Sequence, residues 1–234
     1  MTSNRTAWYV DLDLMDFSRA HELQLKILEA RTSGKIDRDV VLILEHPPVF
    51  TIGRRGKLDH LKVSSTFLSA AGMDLLHIER GGDITFHGPG QLVLYPIFHL
   101  RQAGLGVVDF VERLEELMIC TAGELGVSAV RNQRNHGIWV DGRKMGFIGI
   151  AVRHHVSFHG IALNVNLSLE PFTWIDPCGL QDVQVTSLNL ESDRMVSVNA
   201  AKAALVRHIE DVFSVTLQNV DINKIKDFIQ STRD

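Results

Sequence analysis

Cys178 and Lys144 are the side chains of this 234-residue sequence most readily turned to covalent chemistry. Cys178 stands in Asp176-Pro177-Cys178-Gly179-Leu180, between a residue of fixed φ and one without Cβ, so the loop around it has a specified shape that can present a thiol. An ordinary thiol has a pKa of about 8.5 and is only a few per cent ionised at neutral pH, so a nucleophilic cysteine needs a base or a cation beside it. Lys144 follows the Asp141-Gly142 turn and enters an apolar run with Gly146, Ile148, Ile150 and Val152. Either its stem snorkels and the ammonium stays in water, or the ammonium is held in a cleft, where desolvation lowers its pKa from about 10.4 and its charge favours a thiolate. Spacing alone does not bring Lys144 beside Cys178. A buried, inert thiol is the competing reading for Cys178, and it is the one that suits Cys120, which lies among apolar positions of a long helix.

The second chemical feature is the stretch Arg80-Gly81-Gly82-Asp83-Ile84-Thr85-Phe86-His87-Gly88-Pro89-Gly90-Gln91. Four glycines here are more than a hairpin needs, and each lets backbone approach something bound, so the stretch reads as the wall of a site. It is not a nucleotide loop, because neither G-x-G-x-x-G nor a Walker pattern is present and a strand rather than a helix follows. His87 either orients a substrate or bonds to turn backbone. His154, His155 and His159 invite a zinc reading, but adjacent residues on a strand face opposite ways and an i, i+4 pair needs a helix that this run does not suggest. No metal site is expected from them.

These groups must be held by a mixed set of elements. Trp8–Leu12 alternates like a strand, and Phe17–Arg31 carries Ala20, Leu23, Ile27 and Ala30 at helical spacing before Gly34. Val40–Leu44 is a continuous apolar run suited to a buried strand, stopped by His46-Pro47-Pro48, and Val49–Ile52 resumes as another. Leu75–Ile78 and Leu92–Phe98 flank the glycine-rich stretch as strands, and Val107–Leu125 is the clearest amphipathic helix. Asp141-Gly142 predicts a tight hairpin between Ile138–Val140 and Lys144–Val152, with Val156–Val165 extending the strand-rich middle. Asn199–Phe213 and Asp221–Ile229 read as closing helices, each beginning with a residue able to cap the first amides.

Composition narrows the class. With 45% hydrophobic and 22% charged residues, the chain supports a sizeable core and is not disordered. A formal charge of −4 gives no global attraction to nucleic acid or an anionic membrane, although Arg54, Arg55 and Lys57 form a local basic cluster. No stretch approaches the roughly 18 apolar residues of a membrane span, and the first ten residues lack the features of a signal peptide, so a cytoplasmic protein is expected. Two cysteines are too few for a disulfide framework.

In order and spacing, Glu45-His46-Pro47-Pro48-Val49-Phe50-Thr51, Arg80–Gln91, Lys144–Val152, Ser157-Phe158-His159-Gly160-Ile161-Ala162-Leu163-Asn164-Val165-Asn166 and Asp176-Pro177-Cys178-Gly179 together resemble the lipoyl(octanoyl) transferases. The resemblance spans roughly residues 40–190. It implies one α/β (α+β) catalytic domain over residues 1–234, with a mixed β-sheet and flanking helices, related to the catalytic domains of biotin and lipoate protein ligases. It also implies a two-step octanoyl transfer from octanoyl-acyl carrier protein to a lysine of a lipoyl domain, with Cys178 as the nucleophile and Lys144 as its partner. Lipoyl domains of 2-oxoacid dehydrogenase subunits and the glycine cleavage H protein are the implied acceptors, with a monomeric enzyme and no cofactor, metal, nucleic acid or membrane. Matching positions put Arg80–His87, Phe147-Ile148-Gly149 and Gly160-Ile161-Ala162 around the acyl chain, with backbone amides or His87 polarising its carbonyl. Both protein partners present acidic surfaces in that picture, which makes Arg54, Arg55, Lys57, Arg131 and Arg153 candidate docking charges.

The chain departs from the resemblance in two places. Arg134-Asn135-His136 precedes Gly137-Ile138-Trp139 where many relatives carry an aspartate, and Met145-Gly146-Phe147 replaces an alanine-rich segment. An ATP-dependent lipoate or biotin ligase is the alternative enzyme, but the ligase-type Ser-Gly-Gly-Gly with its following His-Asp and the biotin-ligase Gly-Arg-Gly-Arg are absent. A noncatalytic acyl- or carrier-protein-binding module is the alternative from another class, and the presence of both Cys178 and Lys144 argues against it.

Overall fold

The chain begins with β1 (Arg5–Leu14), α1 (Phe17–Thr32), β2 (Asp39–Glu45) and β3 (Val49–Ile52) in the computed structural model, which describes residues 5–177 and 183–230. There follow α2 (Ser65–Ala70), β4 (Asp74–His77), β5 (Ile84–His87), β6 (Gln91–Ile97) and α3 (Val107–Glu124). The second half holds β7 (Val130–Arg131), β8 (Gly137–Val140), β9 (Arg143–Arg153), β10 (Val156–Asn164) and α4 (Leu188–Glu191). It closes with α5 (Val198–Phe213), β11 (Val215–Asn219) and α6 (Ile222–Gln230).

Among the described residues, eight strands form one mixed sheet in the order β11-β1-β2-β6-β10-β9-β8-β7, parallel at β11-β1-β2 and antiparallel beyond. Both faces of the sheet are covered, which explains why β2 reads as an unbroken apolar run. Val40, Leu42 and Leu44 join the core beneath α1, while Val41 and Ile43 join the core beneath α3 and α5. A smaller sheet of β4, β3 and β5 lies to one side.

The caps are chemical. Asp16 Oδ1 accepts from the Arg19 amide at 3.1 Å to start α1, and Ser197 does the same for Ala200 at the start of α5. The α5 cap therefore lies two residues ahead of the expected Asn199. Asp141 (φ +47°) and Gly142 (φ +80°) both take positive φ, as a type I′ turn between β8 and β9 requires. The glycine-rich stretch contains a strand that its glycines hide: Ile84-Thr85-Phe86-His87 pairs antiparallel with Val49–Ile52. Its β-branched and aromatic residues favour that pairing. His154 and His155 form the turn between β9 and β10, both at positive φ, rather than extending a strand.

Candidate active site

The glycine-rich stretch is held from three sides. Arg80 sends its guanidinium to the Thr51 carbonyl (2.7 Å) and hydroxyl (2.8 Å), joining the stretch to β3. The amides of Gly53, Arg54 and Arg55 donate to the carbonyls of Asp83, Arg80 and Gly82. Glu45 Oε2 accepts from the Gly90 amide at 2.6 Å, which couples the Glu45-His46-Pro47-Pro48 corner to the Gly88-Pro89-Gly90 turn. Asp83 spans its own end, accepting from the Ile84 amide at 2.6 Å and meeting His60 Nδ1 at 2.7 Å.

A narrow cleft opens between this stretch, β9 and β10. Arg80, Gly82, Asp83, Ile84, Thr85, His87, Phe147, Ile148, Gly149, Gly160, Ile161 and Ala162 line it, so three distant segments of sequence converge there. Gly81 and Phe86 are absent from that lining. The Gly81 amide donates to the Ile150 carbonyl at 2.8 Å, and Phe86 packs its ring on Phe50 and Phe172. Phe17, Ile78, Val93, Tyr95, Asn135 and His159 also line the cleft without having been assigned to it from sequence. Tyr95 had a signal: it is the one polar side chain in Leu92–Ile97. Two glycines set the width of the cleft. A Cβ on Gly149 would stand 2.7 Å from Arg80 Cδ, and one on Gly160 would clash with the Leu94 carbonyl oxygen.

Lys144 is fully buried, which removes the snorkelling alternative. Its ammonium donates to Asn135 Oδ1 and, at 2.8 Å, to the His136 carbonyl, and it lies over the rings of Trp139 (5.0 Å) and Phe147 (5.2 Å). Asn135 is thus both a partner of Lys144 and part of the cleft wall, and the unusual Arg134-Asn135-His136 segment finds its structural role there. The Lys144 backbone is fixed as well: its amide donates to Gln184 O (2.8 Å) and its carbonyl accepts from the Thr186 amide (2.9 Å). On the other side of the cysteine, the Asp176 amide donates to His60 O and Asp176 Oδ1 pairs with Lys62 Nζ at 2.6 Å. Cys178 itself lies outside the described residues.

A chain of buried amides joins His87 to the lysine strand. Gln91 Nε2 donates to the Phe86 carbonyl (3.2 Å) and Asn164 Oδ1 (2.9 Å), and Asn164 Nδ2 donates to the Thr186 carbonyl (3.0 Å). These acceptors fix the flip of both amides, so Gln91 Oε1 faces His87 Nδ1 at 2.7 Å and the ring must carry its proton on Nδ1. Its Nε2 is therefore an acceptor, 3.5 Å from the Thr51 hydroxyl. Burial, reinforced by His46 and Arg80, pushes the His87 pKa well down and keeps the ring neutral. His46 is fixed the same way: Nδ1–H donates to Met15 O and Nε2 accepts from the Tyr95 hydroxyl, both at 2.7 Å. Thr85 Oγ1 is buried and completes no hydrogen bond. At the edge of the cleft, Glu79 is pushed down to about 2, chiefly by its contact with His159.

Other candidates separate cleanly. Cys120 donates to Glu116 Oε1 at 3.6 Å, and burial together with that carboxylate pushes its thiol pKa up, so it is an inert helix thiol. Arg131 is committed to Glu115 (3.1 Å) and Glu116 (2.7 Å). Arg153 stands 3.7 Å from Glu79, while Arg54, Arg55 and Lys57 are exposed beside the glycine-rich stretch. Among the described residues, no helix is long and apolar enough to cross a membrane.

The lipoyl protein ligase A/B catalytic domain family matches residues 16–210. An octanoyltransferase of Desulfotalea psychrophila is 49% identical over 209 residues, covering 88% of this chain and 94% of the relative. An octanoyltransferase of Syntrophobacter fumaroxidans is 41% identical over 222 residues, covering 95% and 97%. Among solved structures, a bi-partite lipoate protein ligase of Thermoplasma acidophilum superposes with a TM-score of 0.76 at 15% identity, covering 97% of this chain and 91% of that one, a likeness of fold. By the extent and identity of these matches, the chain belongs to the octanoyltransferases, acyltransferases of lipoate biosynthesis within the lipoyl protein ligase A/B catalytic domain family.

Proposed function

We propose that the chain moves an octanoyl group from octanoyl-acyl carrier protein to a lysine of a lipoyl domain, through a thioester on Cys178. The observation that supports this reading is the buried Lys144 ammonium, held by Asn135 and over the ring of Phe147, two residues of the cleft wall, because a cation is what a thiol needs to react at neutral pH. In the first step the Cys178 sulfur bonds to the acyl carbon and the bond to the phosphopantetheine sulfur breaks. The departing thiolate takes up a proton. In the second, the lysine amine of the lipoyl domain attacks the same carbon, loses a proton and regenerates the Cys178 thiolate. In this reading Lys144 stabilises that thiolate and manages the protons of both steps.

The acyl chain lies along Ile84, Phe147, Ile148, Ile161 and Ala162, where burial of each methylene contributes roughly 0.8 kcal/mol. His87, with its Nε2 lone pair unprotonated, is not the donor for the developing oxyanion. That role falls to backbone amides of the glycine-rich wall and to the Thr85 hydroxyl. Lipoyl-domain and carrier-protein substrates dock beside the cleft, with Arg54, Arg55 and Lys57 meeting their acidic surfaces.

Since a thioester becomes an amide, transfer is downhill and needs no activation by ATP. The test is transfer of octanoate from octanoyl-acyl carrier protein to a purified lipoyl domain, followed by mass spectrometry without and with ATP. Equal transfer in both supports the reading. Transfer from free octanoate only when ATP is present would replace it with a ligase.

A further inference from the structure

His159 takes a left-handed conformation (φ +56°) in the middle of β10, which histidine tolerates better than most residues but which a strand does not call for. Its amide is met by Gln24 Oε1 at 2.7 Å, from a fully buried glutamine on α1. One turn away on that helix, the His21 ring lies beside that of His159, with centroids 5.2 Å apart and planes inclined at 21°. Glu79, the residue ahead of Arg80, completes the group. Its Oε2 lies 3.1 Å from His21 Nε2 and 3.7 Å from His159 Nε2, while its other oxygen, Oε1, faces Arg153 at 3.7 Å. One donor atom from each of the three residues lies within 4.8 Å of the others.

Both Nε2 atoms are shielded from solvent and complete no hydrogen bond, and His159 is only 2% exposed. Buried ring nitrogens are normally satisfied. Here two of them converge on a single carboxylate oxygen at ion-pair distance, neither in hydrogen-bond geometry.

We propose that His21, Glu79 and His159 form a binding site for a divalent transition-metal cation of the zinc class. Bonds of about 2.0–2.2 Å from imidazole and carboxylate place donor atoms about 3.4 Å apart in a tetrahedron, and the separations of 3.1 and 3.7 Å bracket that value. Two imidazoles select zinc and its neighbours over magnesium or calcium. Three protein ligands leave a fourth position for water. The ligands come from α1, from the residue that opens the glycine-rich wall and from β10, so the cation staples three sides of the cleft. The sequence grouped His159 with His154 and His155 and so dismissed a metal; the fold gives His159 different partners.

The test uses the untagged full-length chain, stripped with a chelator and equilibrated with zinc chloride. One bound zinc per chain is expected, with a zinc-dependent rise in Tm and, after cobalt substitution, visible absorption from the bound ion. Removing a ligand in His21→Ala or Glu79→Gln is expected to weaken zinc binding more than about tenfold and abolish the cobalt spectrum. His21 is partly exposed on its helix, so its variant keeps the fold, and an unchanged melting transition without metal confirms that. Absence of stoichiometric zinc in the parent chain, or zinc affinity in both variants equal to the parent's, would overturn the proposal.

Discussion

Lys144 meets Asn135, a residue of the cleft wall, its buried ammonium donating to the amide oxygen and, beside it, to the His136 carbonyl. Both contacts orient the ammonium. If Asn135 acts through Lys144, Asn135→Ala should slow acylation by octanoyl-acyl carrier protein about 10- to 100-fold, the worth of a hydrogen bond to a charged group. In a Lys144→Ala background the same change should cost nothing further. Rapid-quench acylation of the two single variants and the double variant measures this, and an equal loss in both backgrounds would make Asn135 an independent contributor.

Stability should fall in acid because of His46. Burial pushes its pKa down to about 4 in the folded chain, against about 6.5 when unfolded. Between those values the unfolded chain takes up a proton that the folded chain refuses, so the contribution of His46 is complete above about pH 6.5. It is lost progressively as pH falls to about 4, to a limit of about 3 kcal/mol. Urea unfolding across that window should show a shallower pH dependence in His46→Gln than in the parent. Parallel profiles would mean that His46 titrates normally.

Gln91 joins three buried groups: His87 Nδ1, the Phe86 carbonyl and Asn164 Oδ1. Gln91→Leu keeps much of the volume and strands all three, so a loss of about 3 kcal/mol is expected, with an unchanged denaturant slope. A loss below about 1 kcal/mol would show that the relay carries little of the stability.

The major strands and long helices were legible because their patterns are local. Val40–Leu44 had to be buried on both faces, and Asp141-Gly142 admitted few turns other than the one observed. Of Gly81-Gly82 and Gly88-Pro89-Gly90 only Gly82 lines the cleft, and the density of glycines concealed β5, whose pairing with Val49–Ile52 depends on a partner far away in sequence. The burial of Lys144 was equally invisible, since a strand-end lysine reads as solvated until Trp139, Phe147 and Asn135 are brought around it. The tautomer of His87 depends on a relay through Asn164 to Thr186, and no window of local sequence contains that relay.

The covalent intermediate on Cys178 is the central claim, and intact-protein mass spectrometry after exposure to octanoyl-acyl carrier protein tests it most directly. One octanoyl group should appear on the parent chain, disappear when a lipoyl domain is added, and never form on Cys178→Ala. The same adduct on that variant, together with normal transfer to the lipoyl domain, would contradict the account.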